Sequence, residues 1–325
     1  TASMPTDAQH ALEAAQAAGV HICSDAPPEF DLGIDAVLGI GTSRPLSGEL
    51  AQWVSLQRTT DRPVICIDLP TGLHADTGEL QPLSVNQETP FARAAGPRHT
   101  LSLLTLKPGL FTATGRDAAG EVWFDDLRVH ADCLPAPVAW LHATSMKRSL
   151  HLGRPHASHK GTFGDVVIVG GQDIGTNGEG MTGAAILAAC AALHGGAGRV
   201  FVSLTGATIG RSLRYHPDSP ELMFRSTSQL LASTLMEQGT VVCGCGGGDS
   251  IQALLPDVLQ RAARLVLDAD ALNAIARSPA LQAMVKARRA RQWVTVLTPH
   301  PLEAARLLGS TTPGVMKDRL ACAQQ

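Results

Sequence analysis

The sequence is poor in aromatic residues, in net charge and in long apolar runs, and each shortage excludes a class of protein. Aromatic side chains make up only 4% of the 325 residues, so aliphatic side chains must build the cores. A net charge of −3 provides no basic surface for nucleic acid. The longest apolar runs have the length of strands and end at Gly or Asp, so we expect no membrane-spanning helix. The first residues contain neither the basic nor the apolar segment of a secretory signal peptide.

Cysteine pairing is missing as well. The seven cysteines are odd in number and form no Cys-X-X-Cys pair, and several lie within apolar runs, where Cys acts as a small buried hydrophobe. This pattern favours a reducing cytoplasm over a disulfide framework. Cys243 and Cys245 would share one face of a strand, but two thiols make an incomplete zinc site, so we interpret them as core residues.

What the sequence does contain is an alternation of apolar runs with helical patterns. Continuous apolar runs rich in Val and Ile are typical of strands that are buried on both faces. Strands that alternate with helices predict an α/β fold with doubly wound parallel sheets, whose ligands gather at the carboxyl ends of the strands. The predicted strands lie in residues 33–41, 63–72, 165–171, 199–204, 240–248, 264–273 and 293–301, and the predicted helices cover 48–58, 182–196 and 302–309.

The length and one irregular stretch predict two domains. A chain of 325 residues is longer than a typical single core requires. Residues 128–161 break the alternation and concentrate Pro, His and Gly, so we place the junction of two α/β domains near residue 145. His151, His156 and His159 have no carboxylate or Cys nearby to complete a metal site, and we interpret them as polar linker residues.

In the first half, two predicted strands end at carboxylates. Asp35 precedes a glycine-containing loop whose backbone can approach a ligand closely, and Arg44 in that loop could neutralise a phosphate. Asp68 ends the next strand, where a carboxylate can transfer a proton or bind a cation. The residues alone leave a structural explanation open, in which both Asp side chains cap loops and the glycines form turns. The loop residues are Gly39, Ile40, Gly41, Thr42, Ser43, Arg44 and Pro45.

In the second half, glycines and strand-end polar residues mark a candidate ligand site. Gly170 and Gly171 open a glycine-rich loop before a helix that starts near Thr182, an arrangement that suits an anion but lacks the Walker pattern. Asp268 ends a strand and is a candidate for ligand or Mg²⁺ contact, whereas we expect Asp270 to be the N-cap of the following helix.

His300 also follows a predicted strand, and a His at that place is a candidate functional residue. The next residues, Pro301 and Glu303, are both favoured at helix starts, so a structural role explains them fully.

In order and spacing, these motifs resemble the bifunctional NAD(P)H-hydrate repair enzymes. In this family an NAD(P)H-hydrate epimerase, an isomerase, is fused to an ADP-dependent (S)-NAD(P)H-hydrate dehydratase, a hydro-lyase. The motifs DAVLGIGTSRPLSG, PVICIDLPTGLHADTG and LSLLTLKPGLFTATGRDAAGEVWFDDL resemble the epimerase. The motifs HKGTFGDVVIVGG, GMTGAAILAACAALHGGAGRVFVSL, GCGGG, LVLDADALN and TPHPLEAARLLG resemble the dehydratase.

The resemblance implies a Rossmann-like epimerase domain, of which residues 1–145 are the C-terminal part plus linker. It implies that Asp35 and Thr71 bind K⁺, with Thr71 standing where the family usually has Ser. It also implies that residues 39–45 and Asp68 hold the hydrated cofactor, and Asp68 is the candidate acid/base for exchanging its R and S forms.

The second domain implied by the resemblance is ribokinase-like, and residues 146–325 are its N-terminal part. Such a domain uses ADP and Mg²⁺ to phosphorylate the hydroxyl of NADHX or NADPHX, after which phosphate leaves. Ala184, Gly246 and His300 occupy positions that contact the hydrated cofactor in this family. The family also tends to assemble, so we expect a homo-oligomer, while the composition already argues against a nucleic-acid or membrane partner.

Two family motifs are not found in these residues. They are a glycine- and asparagine-rich loop upstream and a GTGD motif that carries the dehydratase's catalytic Asp. We therefore expect the segment as given to be inactive in dehydration and in epimerisation. Two other hypotheses stay open, a ribokinase-like small-molecule kinase and a non-catalytic nucleotide-binding remnant. The epimerase-like motifs of the first half argue against the kinase.

Overall fold

The computed structural model describes residues 5–23, 29–41, 44–83, 96–133, 156–174, 180–206 and 216–325. The chain divides into two compact units, Thr1–Ala139 and Trp140–Gln325, which we call the first and second units. The predicted seam near residue 145 lies outside the described residues, so the boundary between 1–145 and 146–325 stays a prediction.

In the first unit, the described residues form a parallel sheet with the strand order β1-β2-β3-β4. Its core consists of aliphatic side chains around Leu69 and Leu110, which lie in loops after β2 and β3, and around Val54 on a helix. The strands are β1 (Gly33–Asp35), β2 (Val64–Ile67), β3 (Arg98–Leu103) and β4 (Glu121–Asp125), and the helices are α1 (Thr6–Ala17), α2 (Gly48–Thr59) and α3 (Gly115–Ala119).

Strand β1 is shorter than the apolar run predicts. It ends at Asp35, and the rest of the run leaves the sheet as a loop because the Leu38 amide donates to Thr71 Oγ1 instead of to a strand (3.1 Å). Strands β3 and β4 were not predicted. Both carry polar residues that break an apolar run, and β4 is largely exposed.

In the second unit, the described residues form a six-stranded parallel sheet with the order β10-β9-β8-β5-β6-β7. The strands are β5 (Asp165–Gly170), β6 (Arg199–Leu204), β7 (Met223–Phe224), β8 (Thr240–Cys243), β9 (Arg264–Leu267) and β10 (Val294–Leu297). The helices are α4 (Thr182–His194), α5 (Thr227–Leu231), α6 (Leu235–Gln238), α7 (Ile251–Arg261), α8 (Ala269–Arg277), α9 (Pro279–Ala287), α10 (Pro301–Leu308), α11 (Thr312–Lys317) and α12 (Arg319–Gln324).

The central strand β5 explains why the sequence signal is strong in this unit. Val167 and Val169 belong to one hydrophobic core, whereas Ile168 between them belongs to another on the opposite face of the sheet. Because successive side chains of a strand point to opposite faces, a strand that is covered on both sides must be apolar throughout. The predicted α/β class with parallel sheets is therefore confirmed. Among the described residues, no helix is both long and apolar enough to cross a membrane.

Candidate functional site

At the carboxyl ends of β1 and β2, Asp35 and Thr71 form a buried pair. Asp35 is 4% exposed and Thr71 is 1% exposed. The Thr71 hydroxyl donates to Asp35 Oδ1 over 2.5 Å, and the Thr71 amide donates to Asp35 Oδ2 over 2.8 Å. The structure thus brings together the two residues that the sequence resemblance assigned to K⁺. Both carboxylate oxygens are held by one residue of the neighbouring strand's loop.

A carbonyl oxygen and the guanidinium of Arg58 lie close to this pair. The Leu38 carbonyl lies 3.4 Å from Thr71 Oγ1, so carboxylate, hydroxyl and carbonyl oxygens lie together. Arg58 on α2 donates to the Thr71 carbonyl over 3.2 Å. Burial lowers the pKa of the Arg58 guanidinium, and the Asp35 carboxylate opposes that shift. Arg58 is therefore the partly buried cation that accompanies the Asp35 carboxylate.

Asp68, immediately after β2, is held by a buried lysine. Lys107 Nζ contacts Asp68 Oδ1 and also donates to the Leu103 carbonyl over 2.6 Å. The Leu103 amide donates to the same oxygen, Asp68 Oδ1, over 3.1 Å. Asp68 has a left-handed backbone with φ of 69°, which non-glycine residues rarely adopt outside functional or strained positions.

Gly39, in the loop after β1, lies near Asp68. A Cβ atom placed on Gly39 would lie 3.6 Å from Asp68 Oδ2, so this oxygen lies on the side of the carboxylate that faces Gly39. The other described loop residues, Ile40, Gly41, Arg44 and Pro45, are exposed. The predicted ligand residues Thr42 and Ser43 lie outside the described residues.

In the second unit, the loops after β5 and β8 meet through their backbones. The Gly171 amide donates to the Cys245 carbonyl over 2.8 Å, and the Gln172 amide donates to the Gly246 carbonyl over 2.6 Å. A Cβ atom on Gly246 would lie 2.9 Å from the Cβ of Ala184 on α4, closer than side chains tolerate. The structure therefore brings together Ala184 and Gly246, two of the three residues predicted to contact the hydrated cofactor.

Of the two carboxylates after β9, Asp270 has a different role from the one predicted. Helix α8 begins at Ala269, so Asp268 and not Asp270 occupies the N-cap position, and the prediction for Asp270 is wrong. The carboxylate of Asp270 instead accepts a hydrogen bond from the Gly248 amide over 2.9 Å. Asp270 therefore stabilises the loop after β8. Asp268 Oδ1 accepts from the Thr298 hydroxyl over 2.7 Å, which ties the end of β9 to the end of β10.

Cys245 lies beside Asp268. Burial, followed by a hydrogen bond to Asp268, raises the pKa of the Cys245 thiol to about 12. The thiol is thus uncharged near neutral pH and adds no anion to the Asp268 carboxylate.

His300 caps helix α10. Its Nδ1 accepts from the Leu302 amide over 3.1 Å, while the His300 amide donates to Glu303 Oε2 over 2.9 Å. Pro301 stands in the first turn, so both helix-start predictions are confirmed. A complete capping box gives His300 a structural role, and its predicted contact with a cofactor stays a prediction.

The sequence interpretation missed Lys107 and Arg58. Lys107 had a usable signal, because it is a single charge within the otherwise uncharged stretch LSLLTLKPGL. Arg58 had none, since a basic residue near the end of a helix is common for structural reasons alone. Within the described part of the chain, no group of three or more His, Cys, Asp or Glu could hold a metal ion.

Comparison with known protein families divides the chain in the same order. Residues 1–109 match the family described as YjeF-related protein N-terminus, and residues 166–325 match the family described as NAD(P)H-hydrate dehydratase. The bifunctional NAD(P)H-hydrate repair enzyme of Escherichia coli K12 is 33% identical over 330 residues, which cover 99% of this chain and 58% of that enzyme. The enzyme of the same description from Vibrio cholerae is 31% identical, and the match covers 99% of this chain and 61% of that enzyme.

Solved structures overlap with about half of the chain. A Bacillus subtilis ADP/ATP-dependent NAD(P)H-hydrate dehydratase, co-crystallised with ATP and Mg²⁺, is 27% identical; the match covers 51% of this chain and 55% of that one, with a TM-score of 0.38. A hypothetical protein from Streptococcus mutans is 28% identical, with 57% and 62% coverage and a TM-score of 0.41. The chain therefore contains a YjeF-related segment and an NAD(P)H-hydrate dehydratase segment in the order found in these bifunctional relatives, and it covers about three fifths of their length.

Proposed function

We propose that the protein repairs hydrated nicotinamide cofactors, with the first unit exchanging the R and S forms of NADHX and NADPHX and the second dehydrating the S form. The observation that carries this proposal is the presence, in one chain, of both family segments in the order of the repair enzymes. Each segment also has polar or glycine residues gathered where its parallel strands end, the usual place for ligands in such sheets.

In the first unit, we assign the proton transfer of epimerisation to Asp68. An ionised carboxylate can take a proton from the hydrate and return it, and Asp68 stands at a strand end with Oδ2 beside the loop at Gly39. The remaining loop residues, 40–45, would hold the rest of the cofactor. The surface position of the described ones, Ile40, Gly41, Arg44 and Pro45, suits contact with a large ligand.

The Asp35 and Thr71 pair fits K⁺ in ligand type. The carboxylate, the Thr71 hydroxyl and the Leu38 carbonyl are hard oxygen donors, which alkali and alkaline-earth cations prefer. A bound K⁺ would supply a fixed positive charge at the end of β1. Thr71 keeps the hydroxyl of the Ser that the family usually has, so the donor is conserved in kind.

In the second unit, we propose that Ala184, Gly246 and His300 contact the hydrated cofactor and that ADP with Mg²⁺ is the phosphate donor. The Asp268 carboxylate and the Thr298 hydroxyl lie together and fit Mg²⁺ as oxygen ligands. The nucleotide and metal would activate the hydrate's hydroxyl for departure. Gly246 has no side chain, and Ala184 and Met181 occupy the space that one would need, so this position would present its backbone to the cofactor.

We also propose that the protein works as a homo-oligomer in the cytoplasm. All seven cysteines are free thiols, which supports a reducing compartment.

One assay tests both halves of the proposal. The 325-residue chain and the product of the complete reading frame are incubated with separated R and S epimers of NADHX and NADPHX, ADP and Mg²⁺, and recovery of dihydronicotinamide absorbance is followed. For the product of the complete reading frame, we expect turnover of the S form only with nucleotide, and turnover of the R form faster than its spontaneous epimerisation allows; the 325-residue chain should be inactive. Folded product of the complete reading frame that consumes neither epimer would reject cofactor repair and favour a small-molecule kinase.

A further inference from the structure

We propose that Lys107 is a positioning residue for Asp68, which fixes one oxygen of the carboxylate so that the other faces the loop at Gly39. This inference rests on the proposed role of Asp68 in epimerisation. It assigns a function to a buried charge that neither the motifs nor the family matches single out.

The ammonium group of Lys107 is buried and fully engaged. Lys107 is 9% exposed, and an ammonium removed from water is unfavourable unless charged or polar acceptors replace the water. A lysine ammonium has three N–H donors and no acceptor. Here three acceptors surround it: Asp68 Oδ1, the Leu103 carbonyl at 2.6 Å and Ser102 Oγ at 3.4 Å. With its donors engaged inside the protein, Lys107 acts on Asp68 and is not a proton donor to a substrate.

The Asp68 carboxylate is held asymmetrically. Oδ1 receives both the Lys107 ammonium and the Leu103 amide, the latter over 3.1 Å. Oδ2 lies on the side of Gly39, 3.6 Å from the position of a Cβ atom there. An amide hydrogen bond from Asp68 to the Leu101 carbonyl, over 2.8 Å, helps to fix the left-handed backbone. Lys107 thus determines which oxygen is available at the loop.

This arrangement predicts an effect on the chemical step. Because Lys107 contacts Asp68 and does not line the exposed loop, its loss should leave cofactor binding intact. Without it, the carboxylate loses its charged partner and its fixed rotamer, and a misplaced base is a poor catalyst. The turnover number should therefore fall while KM stays nearly constant.

The test uses Lys107→Met, Lys107→Gln, Lys107→Arg, Asp68→Asn and the double variant of Asp68→Asn with Lys107→Met, all in the product of the complete reading frame. Conversion of (R)-NADPHX to the S form is followed by chromatography, and thermal unfolding is recorded for each variant. We expect Lys107→Met to lower kcat by roughly 10–100-fold with KM within about twofold of the original protein. Lys107→Arg should recover part of that loss. In the Asp68→Asn background, Lys107→Met should have no further effect, because the lysine acts through that carboxylate.

The outcomes distinguish the positioning role of Lys107 from the proposed role of Asp68 in epimerisation. If Asp68→Asn abolishes epimerisation while Lys107→Met keeps kcat within about twofold, the positioning role is wrong and the proposed function stands. If Asp68→Asn is fully active, the role of Asp68 itself is wrong. Should Lys107→Met fail to fold, Lys107→Gln, which keeps a donor for the Leu103 carbonyl, replaces it with the same expected split between kcat and KM. A parallel change of kcat and KM in that variant would indicate a merely structural lysine.

Discussion

The two candidate sites lie at equivalent places in two parallel sheets, yet they are built from different parts of the chain. In the first unit the site consists of side chains, with the Asp35–Thr71 pair and the Asp68–Lys107 ion pair both largely buried. In the second unit the loops after β5 and β8 are joined through amides and carbonyls, so closely packed backbone forms this part of the site. The difference teaches that one fold class can present a ligand with fixed charges or with closely packed main chain.

This contrast determines which substitutions each site tolerates. A site made of buried charged groups is sensitive to the loss of a partner, because the remaining group stays desolvated and unpaired. A site made of closely packed backbone is sensitive to any added atom, since protein interiors have no spare volume. Three predictions test the contrast, in order of decreasing effect.

The largest effect is expected for Gly244→Ala in the second unit. Gly244 has φ of 117°, and a Cβ atom there would lie 2.0 Å from the Asp268 carbonyl oxygen. The combined backbone strain and overpacking should cost roughly 2–6 kcal/mol in unfolding free energy. The matched control is Gly183→Ala on α4, where a Cβ atom meets nothing within 4 Å, and this variant should lose no stability. Urea unfolding, combined with hydrogen exchange of the second unit, measures the stability of the two variants. If they are equally stable, the close approach of Gly244 to the Asp268 carbonyl oxygen is wrong.

An intermediate effect is expected at Thr71 in the first unit. Thr71→Val keeps the shape but leaves Asp35 Oδ1 buried without its hydroxyl donor, so it should cost about 1–3 kcal/mol. Thr71→Ser keeps the hydroxyl and should cost less than about 1.5 kcal/mol, the price of one methyl group. Chemical denaturation of the two variants decides this. The importance of the side-chain pair would be refuted by a Val variant as stable as the Ser variant.

The smallest effect concerns the thiol at the second site. Asp268 contributes to the raised pKa of Cys245 by a hydrogen bond and by its charge, so Asp268→Asn should lower that pKa and increase the thiolate fraction. Alkylation of Cys245 at pH 9, followed by mass spectrometry, should then accelerate roughly two- to tenfold. Asp270→Asn is the control with a smaller increase, since Asp270 is the weakest contributor to the same shift. Identical rates in the two variants would show that Asp268 does not govern this thiol.

The accuracy of sequence-based prediction also differed between the units, for physical reasons. Strand β6 was predicted with its observed ends, because a strand buried on both faces is marked by an uninterrupted apolar run. Strand β4 was missed, since most of its residues are exposed and its sequence need not be apolar. Helix α1 has no buried residue, so no apolar face marked it.

Within the sites, the sequence located strand-end residues well and their partners poorly. Asp35, Thr71, Ala184 and Gly246 were identified from motifs, and the structure brings the members of each pair together. The N-cap at the end of β9 was assigned to the wrong carboxylate, because LDADALN offers two and only the observed start of α8 distinguishes them.

By itself, then, the sequence determined the α/β class, the resemblance to the repair enzymes and the strand ends where polar residues gather, because these follow from local apolar runs and short motifs. The tertiary structure alone decided which groups meet. It placed Lys107 on Asp68 across 39 positions of sequence, and it gave Asp270 to the amide of Gly248 across 22. Such pairings depend on the order of the strands and on the path of the loops. A buried charge or amide needs a partner inside the protein, and only the folded sheet places the two groups side by side.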